Sequence, residues 1–302
     1  MDKTNRPELW PVMLTPFTDA GEVDYASLER LIDWYEKGGV DGLFADCQSS
    51  EIFFLSLKER VEIARFVASH AHVPVIASGH VSESFSDQLE ELKLIASTGV
   101  SALILITNRL VSAGRQNESI MPRVNEIARQ IPDIPLGFYE CPYPFKRLIT
   151  PDELERCRDT GRFRFMKDTC CDIDTITKRL DVLKGSAFGL YNANTTTLLE
   201  SVKRGAAGFS GVMLSFHPWL YRRMFELMDT DGARAEELQG FLTMFSEIER
   251  QYYPVNAKHF LKGEGVLASA YTRTKPAEGL TATFMEEVRQ LKLAQDRLMK
   301  LY

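Results

Sequence analysis

A closed (β/α)8 barrel of the TIM type with a C-terminal helical extension, in the α/β class, is predicted by three features of this chain. Short β-rich runs alternate with amphipathic stretches, the pattern of βα units on a parallel sheet. There are eight such runs within about 220 residues, and closing eight parallel strands into a barrel suits that count better than an open doubly wound sheet. Three helix-to-strand connections, KGGVDG (37–42), STGVSA (97–102) and KRGAAG (203–208), place glycine just ahead of a strand and read as a weak internal repeat.

The strands are expected at 9–15 (LWPVMLT), 41–46 (DGLFAD), 73–78 (VPVIAS), 101–107 (SALILIT), 134–140 (IPLGFYE), 163–168 (FRFMKD), 186–192 (SAFGLYN) and 206–211 (AAGFSG). Between them, 24–37 carries Leu28, Leu31, Ile32 and Tyr35 at helical spacing, and 58–70 does the same with Val61, Ala64 and Val67. After Phe216 the strand signals stop. The remainder reads as helix, three segments beyond the barrel's last, broken at Pro254 and at KGEG (262–265). The expected division is a catalytic barrel over 1–230 and an extension over 231–302.

Composition narrows the function classes. With 44% hydrophobic and 26% charged residues the chain has an ordinary globular balance. A net charge of -6 without a basic cluster disfavours nucleic acid as a partner. The start lacks a secretory pattern and no apolar run is long enough for a membrane span, so a cytoplasmic protein without membrane contact is expected. Five cysteines with no CxxC spacing suggest free thiols, neither a disulfide framework nor a zinc site. No GxGxxG follows the first strand, so a dinucleotide is unsupported; no metal and no cofactor are expected.

In such a barrel the chemistry lies at the C-terminal strand ends. There FRFMKD places Lys167 at the tip of an apolar strand, and strict alternation puts Phe163, Phe165 and Lys167 on one face. An amine in an apolar pocket loses its charged form and attacks ketones to form a Schiff base. The residues alone leave open a snorkelling surface lysine or a buried ion pair. Tyr139, closing the preceding strand, is a candidate proton carrier. Gln48, Ser49 and Ser50 offer donors for a carboxylate, or equally a helix-capping loop. His80 and Arg109 sit at strand ends as candidates for a second anionic or hydroxyl group, and Tyr143 in PYPF (142–145) suits an apolar substrate. Asn192 and Gly211 end the seventh and eighth strands.

Several ordered motifs resemble the dihydrodipicolinate synthase/N-acetylneuraminate lyase family of class I, Schiff-base aldolases, nearly end to end. They are VMLTPFTDAGEVDYASLERLIDWYEKGGVDGLF (12–44), YECP (139–142), FMKD (165–168) and NAKHFLKGEG (256–265). The resemblance implies that Lys167 forms an imine with pyruvate or another 2-oxo acid, that Tyr139 relays protons, and that the protein is a homodimer or homotetramer. The family's GTTGE or GSTGE loop is here Cys47 to Glu51, with Ser49 keeping one hydroxyl and Gln48 replacing the other. The segment that supplies the synthase's cross-interface tyrosine is here Thr107 to Leu110, and the synthase's carboxylate-binding arginine aligns with Pro144, leaving Lys146 or Arg147 as substitutes. The acidic pair of the sialic-acid lyases aligns with Thr195 and Thr196. The reading is therefore a carbon–carbon lyase without either familiar specificity set. The alternatives are a dehydratase or hydratase-aldolase on a 2-keto-3-deoxy sugar acid or aromatic 2-oxo acid, and a non-catalytic binding or regulatory protein on the same scaffold.

Overall fold

Eight parallel strands run in the order β1-β8-β7-β6-β5-β4-β3-β2 in a computed structural model that describes residues 6–112, 114–115 and 117–302. They are β1 (Glu8–Leu9), β2 (Leu43–Ala45), β3 (Val75–Ala77), β4 (Ala102–Ile106), β5 (Leu136–Tyr139), β6 (Phe163–Asp168), β7 (Gly189–Asn192) and β8 (Gly208–Phe209). The two outer strands meet: Val12 bridges Phe44 in parallel, and the Phe44 N–H donates to the Pro11 carbonyl at 3.0 Å, closing the barrel. The first strand is shorter than the expected 9–15. Pro11 has no N–H to donate, so the ladder breaks there and resumes as a single bridge.

The helices are α1 (Tyr25–Lys37), α2 (Leu57–His70), α3 (Phe85–Ala96), α4 (Met121–Gln130), α5 (Pro151–Asp159), α6 (Ile173–Leu183), α7 (Leu198–Lys203) and α8 (Pro218–Thr230) around the barrel, then α9 (Gly232–Phe245), α10 (Val255–Gly263) and α11 (Ala282–Leu301). Asp24 caps α1 by accepting from the Ser27 N–H at 3.0 Å, and Ser56 with Glu59 forms a reciprocal capping box on α2. Asp231, at the expected boundary between barrel and extension, caps α9. No helix among the described residues is long and apolar enough to cross a membrane.

Two apolar layers follow from the strand alternation. Leu43, Leu103, Leu105, Phe138, Met166 and Leu190 face the helices. Trp10, Phe44, Ile76, Ile104, Phe165 and Tyr191 fill the interior. At the barrel floor, Glu8 Oε2 accepts from the Trp10 indole at 2.8 Å and from the Tyr191 hydroxyl at 2.6 Å. The Phe165 ring stacks on Tyr191 with centroids 4.2 Å apart, so the interior below the site is packed solid.

Strand β6 departs from strict alternation. Leu136 pairs with Phe163 but Gly137 pairs with Phe165, so Arg164 is an extra, exposed residue in the ladder, a β-bulge. Phe163 consequently faces outward and stacks on Phe138 at 4.6 Å, and only Phe165 and Lys167 face inward. Gly137 beside the bulge admits no side chain, because a Cβ there would lie 2.6 Å from the Phe165 carbonyl oxygen and from Ile104.

The extension is tied over the C-terminal ends of the strands by one carboxylate. Glu51 accepts from Lys258 Nζ of α10 at 2.6 Å and from the Arg273 and Thr274 backbone N–H groups at 2.7 and 2.8 Å. This contact brings residues 273–275 to the barrel mouth.

Candidate active site

A cavity of about 530 Å³ opens at the C-terminal end of the barrel. Its deep end is formed by Lys167, Tyr139, Gln48, Ser49 and Thr169. One wall is aromatic, built from Phe53, Phe54 and Tyr143. The extension contributes Glu249, Arg250, Tyr253, Thr274 and Lys275 to the lining. The region expected to be mere helical addition thus closes the site.

Lys167 is 4% exposed, and its pairing with Tyr139 on one side and Tyr191 on the other sets its direction. Its amine lies 4.8 Å from the centroid of the Tyr139 ring. Lys167 forms no ion pair among the described residues; the charged forms it senses are those of Cys47, Cys141 and Glu249. Burial pushes the amine down to about 8. The two cysteines leave it so, because burial pushes the Cys47 thiol up and the Cys141 thiol up to about 11, keeping both neutral. Burial likewise holds the Tyr139 phenol well above its ordinary value.

The strand ends bearing Tyr139 and Lys167 are locked together beneath the site. Arg179 of α6 donates to Glu140 at 2.7 Å and is also paired with Asp168, all three being fully buried. Thr169 Oγ1 donates to the Glu140 carbonyl at 2.7 Å. Asp168 is therefore a structural anchor, satisfied by Arg179 and by the Cys170 N–H at 2.8 Å.

Of the residues singled out from sequence, Lys167, Tyr139, Gln48, Ser49 and Tyr143 line the cavity together. Four others do not. The Ser50 hydroxyl donates to the Met13 carbonyl at 2.7 Å and accepts from the Cys47 N–H at 3.1 Å, so it caps its own loop. Asn192 is fully buried and its amide donates to Thr197 and Ser201 at 2.9 and 3.0 Å. Gly211 sits where a Cβ would lie 2.1 Å from the Phe209 ring; its role is close packing beside the lining residue Val212. Arg109 pairs with Glu83 at 2.8 Å and lies 5.0 Å over the Phe53 ring, behind the aromatic wall.

The other anion-binding candidates are also occupied. His80 accepts from the Ile106 N–H through Nε2 at 2.7 Å and has Nδ1 3.2 Å from the Gln88 side chain. Burial lowers it to about 4, so it is neutral. Lys146 donates to the Thr169 carbonyl at 2.7 Å, and Arg147 pairs with buried Glu153 at 2.6 Å. Thr195 bonds the Tyr221 hydroxyl at 2.7 Å.

Glu249 and Tyr253 were not foreseen. The Glu249 carboxyl is half-buried, makes no ion pair among the described residues, and is raised to about 7 by burial, against the pull of Lys167 and Arg250. The Tyr253 hydroxyl is buried beside Ser49. The signal available was weak: EIERQYYP breaks the amphipathic rhythm with acids, tyrosines and a proline, which marks a turn without saying what it faces.

Comparison with known proteins places this geometry. Residues 7–294 match the model of the dihydrodipicolinate synthetase family. The chain belongs to that family, whose members include lyases. It is 24% identical over 277 residues to a 4-hydroxy-tetrahydrodipicolinate synthase of Shewanella piezotolerans, covering 90% of this chain and 92% of the relative. A synthase of the same name from Methanothrix thermoacetophila is 25% identical over 232 residues, 76% of this chain and 77% of that one. Among solved structures, a prophage protein of the dihydrodipicolinic acid synthase family from E. coli K12, in complex with pyruvate, superposes with a TM-score of 0.83 at 22% identity over 95% of this chain and 99% of the other. The Clostridium difficile protein CdNal, in complex with mannosamine, gives 0.84 at 19% identity over 97% and 100%.

Proposed function

We propose that the protein is a class I lyase in which Lys167 forms a Schiff base with the ketone of pyruvate or a related 2-oxo acid. The observation that carries this reading is a buried amine with no ion pair among the described residues, lowered toward neutrality, in a cavity large enough for a small acid and its partner. The amine adds to the ketone carbon, the carbinolamine loses water, and the resulting iminium accepts the electron pair released when the carbon–carbon bond beyond it breaks. Tyr139, whose ring lies beneath the amine, carries protons in forming and dehydrating the carbinolamine.

Ser49 and Gln48 hold the carboxylate. The Gln48 carbonyl oxygen faces the Cys141 thiol at 3.4 Å, which leaves the amide NH2 to donate into the cavity. The acceptor half of the substrate lies against Phe53, Phe54 and Tyr143. With the Phe53 and Tyr143 rings 5.1 Å apart in an edge-on pair, this wall suits an apolar or aromatic acceptor. A homo-oligomer is the assembly we expect.

The test is borohydride trapping with pyruvate and a panel of aliphatic and aromatic 2-oxo acids, read by intact mass. Wild type is expected to gain one reduced adduct that Lys167→Ala lacks. Absence of any adduct on wild type, or an equal adduct on the variant, refutes the reading.

A further inference from the structure

The aromatic wall of the cavity pairs two rings from distant parts of the chain. Phe53 belongs to the turn Ile52–Phe54 after β2, whereas Tyr143 belongs to the segment 142–146 after β5, which forms no helix or strand and is exposed over most of its length. The rings meet edge-on at 5.1 Å. No strand ladder reaches the Tyr143 segment, so its position depends on side chains that bond to its backbone. They come from the turn Thr107–Arg109 between β4 and α4.

Asn108 is buried, and its amide nitrogen donates to the carbonyl oxygens of Cys141, Tyr143 and Phe145 at 2.8, 2.9 and 2.7 Å. Three carbonyls around one atom identify it as the NH2 group, because an amide oxygen there would face only acceptors. Its two protons serve three oxygens, so a single side chain fixes the backbone on both sides of the Tyr143 ring. Thr107 ties the end of the segment, its hydroxyl donating to the Arg147 carbonyl at 2.6 Å. Arg109 serves the other ring: its guanidinium lies 5.0 Å from the Phe53 centroid and is paired with Glu83 at 2.8 Å.

We propose that this turn sets the acceptor specificity of the cavity: Asn108 and Arg109 are positioning residues that hold the Tyr143 and Phe53 rings as a preformed platform for an aryl group carried beyond C3 of the 2-oxo acid. The inference rests on the Schiff-base reading above, with the acceptor half lying against this wall. Asn108 and Arg109 stand outside the cavity lining, so they act on the substrate through the two rings. Tyr143 is 50% exposed. Ordering such a side chain at the moment of binding subtracts from affinity, and the three Asn108 bonds order its backbone beforehand.

The probes are pyruvate and 2-oxo-4-phenylbutanoate, whose C4 carries a phenyl ring and no hydroxyl, so that its imine forms but no carbon–carbon bond breaks. The concentration that half-saturates borohydride trapping is read for each by intact mass. Wild type is expected to half-saturate with the aryl acid at about tenfold lower concentration than with pyruvate. Asn108→Asp, which keeps the shape and removes the donors, is expected to abolish most of that preference while leaving pyruvate within about twofold of wild type. Arg109→Met is expected to reduce the preference about threefold. In a Tyr143→Ala background Asn108→Asp should have no further effect, a result that general loosening of the fold would not give. The inference is overturned if Tyr143→Ala lowers the aryl preference while Asn108→Asp keeps it, if Asn108→Asp weakens both acids alike, or if it weakens the aryl acid equally with and without Tyr143. Should Asn108→Asp fail to fold by circular dichroism, Arg109→Met decides, and an unchanged preference overturns the inference. No aryl preference in wild type, or one that survives Tyr143→Ala, overturns the placing of the acceptor and the inference with it. Failure of wild type to trap any 2-oxo acid overturns the Schiff-base reading itself, a separate outcome.

Discussion

Two buried lysines in this molecule face the same physical penalty and resolve it in opposite ways. Lys258 on α10 is fully buried, donates to Glu51 at 2.6 Å and to the Tyr271 carbonyl at 2.9 Å, and lies 4.3 Å over the Phe17 ring. Lys167 also lies over an aromatic ring, yet it has no carboxylate partner among the described residues and opens onto a cavity. Burial lowers both amines, but at Lys258 the Glu51 carboxylate pulls back toward the charged form. A lysine whose donors are satisfied is a fastener; one whose donors are left unmet is available to a ketone. Burial alone does not separate the two, and the partner list does.

The largest effect expected from breaking this contrast is at the fastener. Lys258→Met leaves Glu51 buried with an uncompensated charge and should cost about 3–5 kcal/mol, measured by urea denaturation. Because Glu51 also holds the Arg273 and Thr274 backbone, the loss should loosen residues 273–275 first, visible as faster amide exchange there. Lys167→Met is expected to act in the opposite direction, stabilising the fold by about 1–3 kcal/mol at pH 7 while abolishing imine formation. A loss of stability there equal to that of Lys258→Met would dissolve the distinction.

The smallest effect is the pH dependence. The folded-state value of Lys167 is about 8, below the ordinary lysine value of 10.5. Between these limits the unfolded chain binds more protons than the folded one, so the destabilisation due to Lys167 is full below pH 8 and fades as pH rises toward 10.5. The stability gap between wild type and Lys167→Met should therefore narrow between pH 7 and 10. The rate of pyruvate trapping should rise through about pH 8 over the same titration. A trapping rate still rising steeply above pH 10 would mean an ordinary lysine.

The strand run FRFMKD put Lys167 in view because an apolar segment ending in lysine is costly unless used, and the barrel rule says which end of each strand to inspect. The same alternation misplaced Phe163, since a bulge at Arg164 is a property of how two strands pair, and no residue in the run announces it. Tyr139, Gln48 and Ser49 reached the cavity as the strand-end argument expected. Ser50, Asn192, Gly211 and Arg109 had equally suitable chemistry and equally suitable positions. Their hydrogen bonds and packing go elsewhere, to Met13, Thr197, Phe209 and Glu83. The partners of Ser50 and Arg109 lie 37 and 26 residues away along the chain, beyond the reach of local pattern.

By itself the sequence determined the barrel and seven of its eight strand positions to within a few residues, and it singled out Lys167 as the candidate amine, because each rests on local periodicity and on the cost of a charge in an apolar run. Only the tertiary structure decided that the chain after residue 230 completes the cavity, that Glu249 and Tyr253 line it together with Lys167, and that Lys258 is tied to a carboxylate while Lys167 has none among the described residues. Those outcomes depend on which groups meet across more than 80 positions of chain, as Lys258 meets Glu51 across 207. Pairing across such distances is set by the packing of whole elements, which no short window of residues contains.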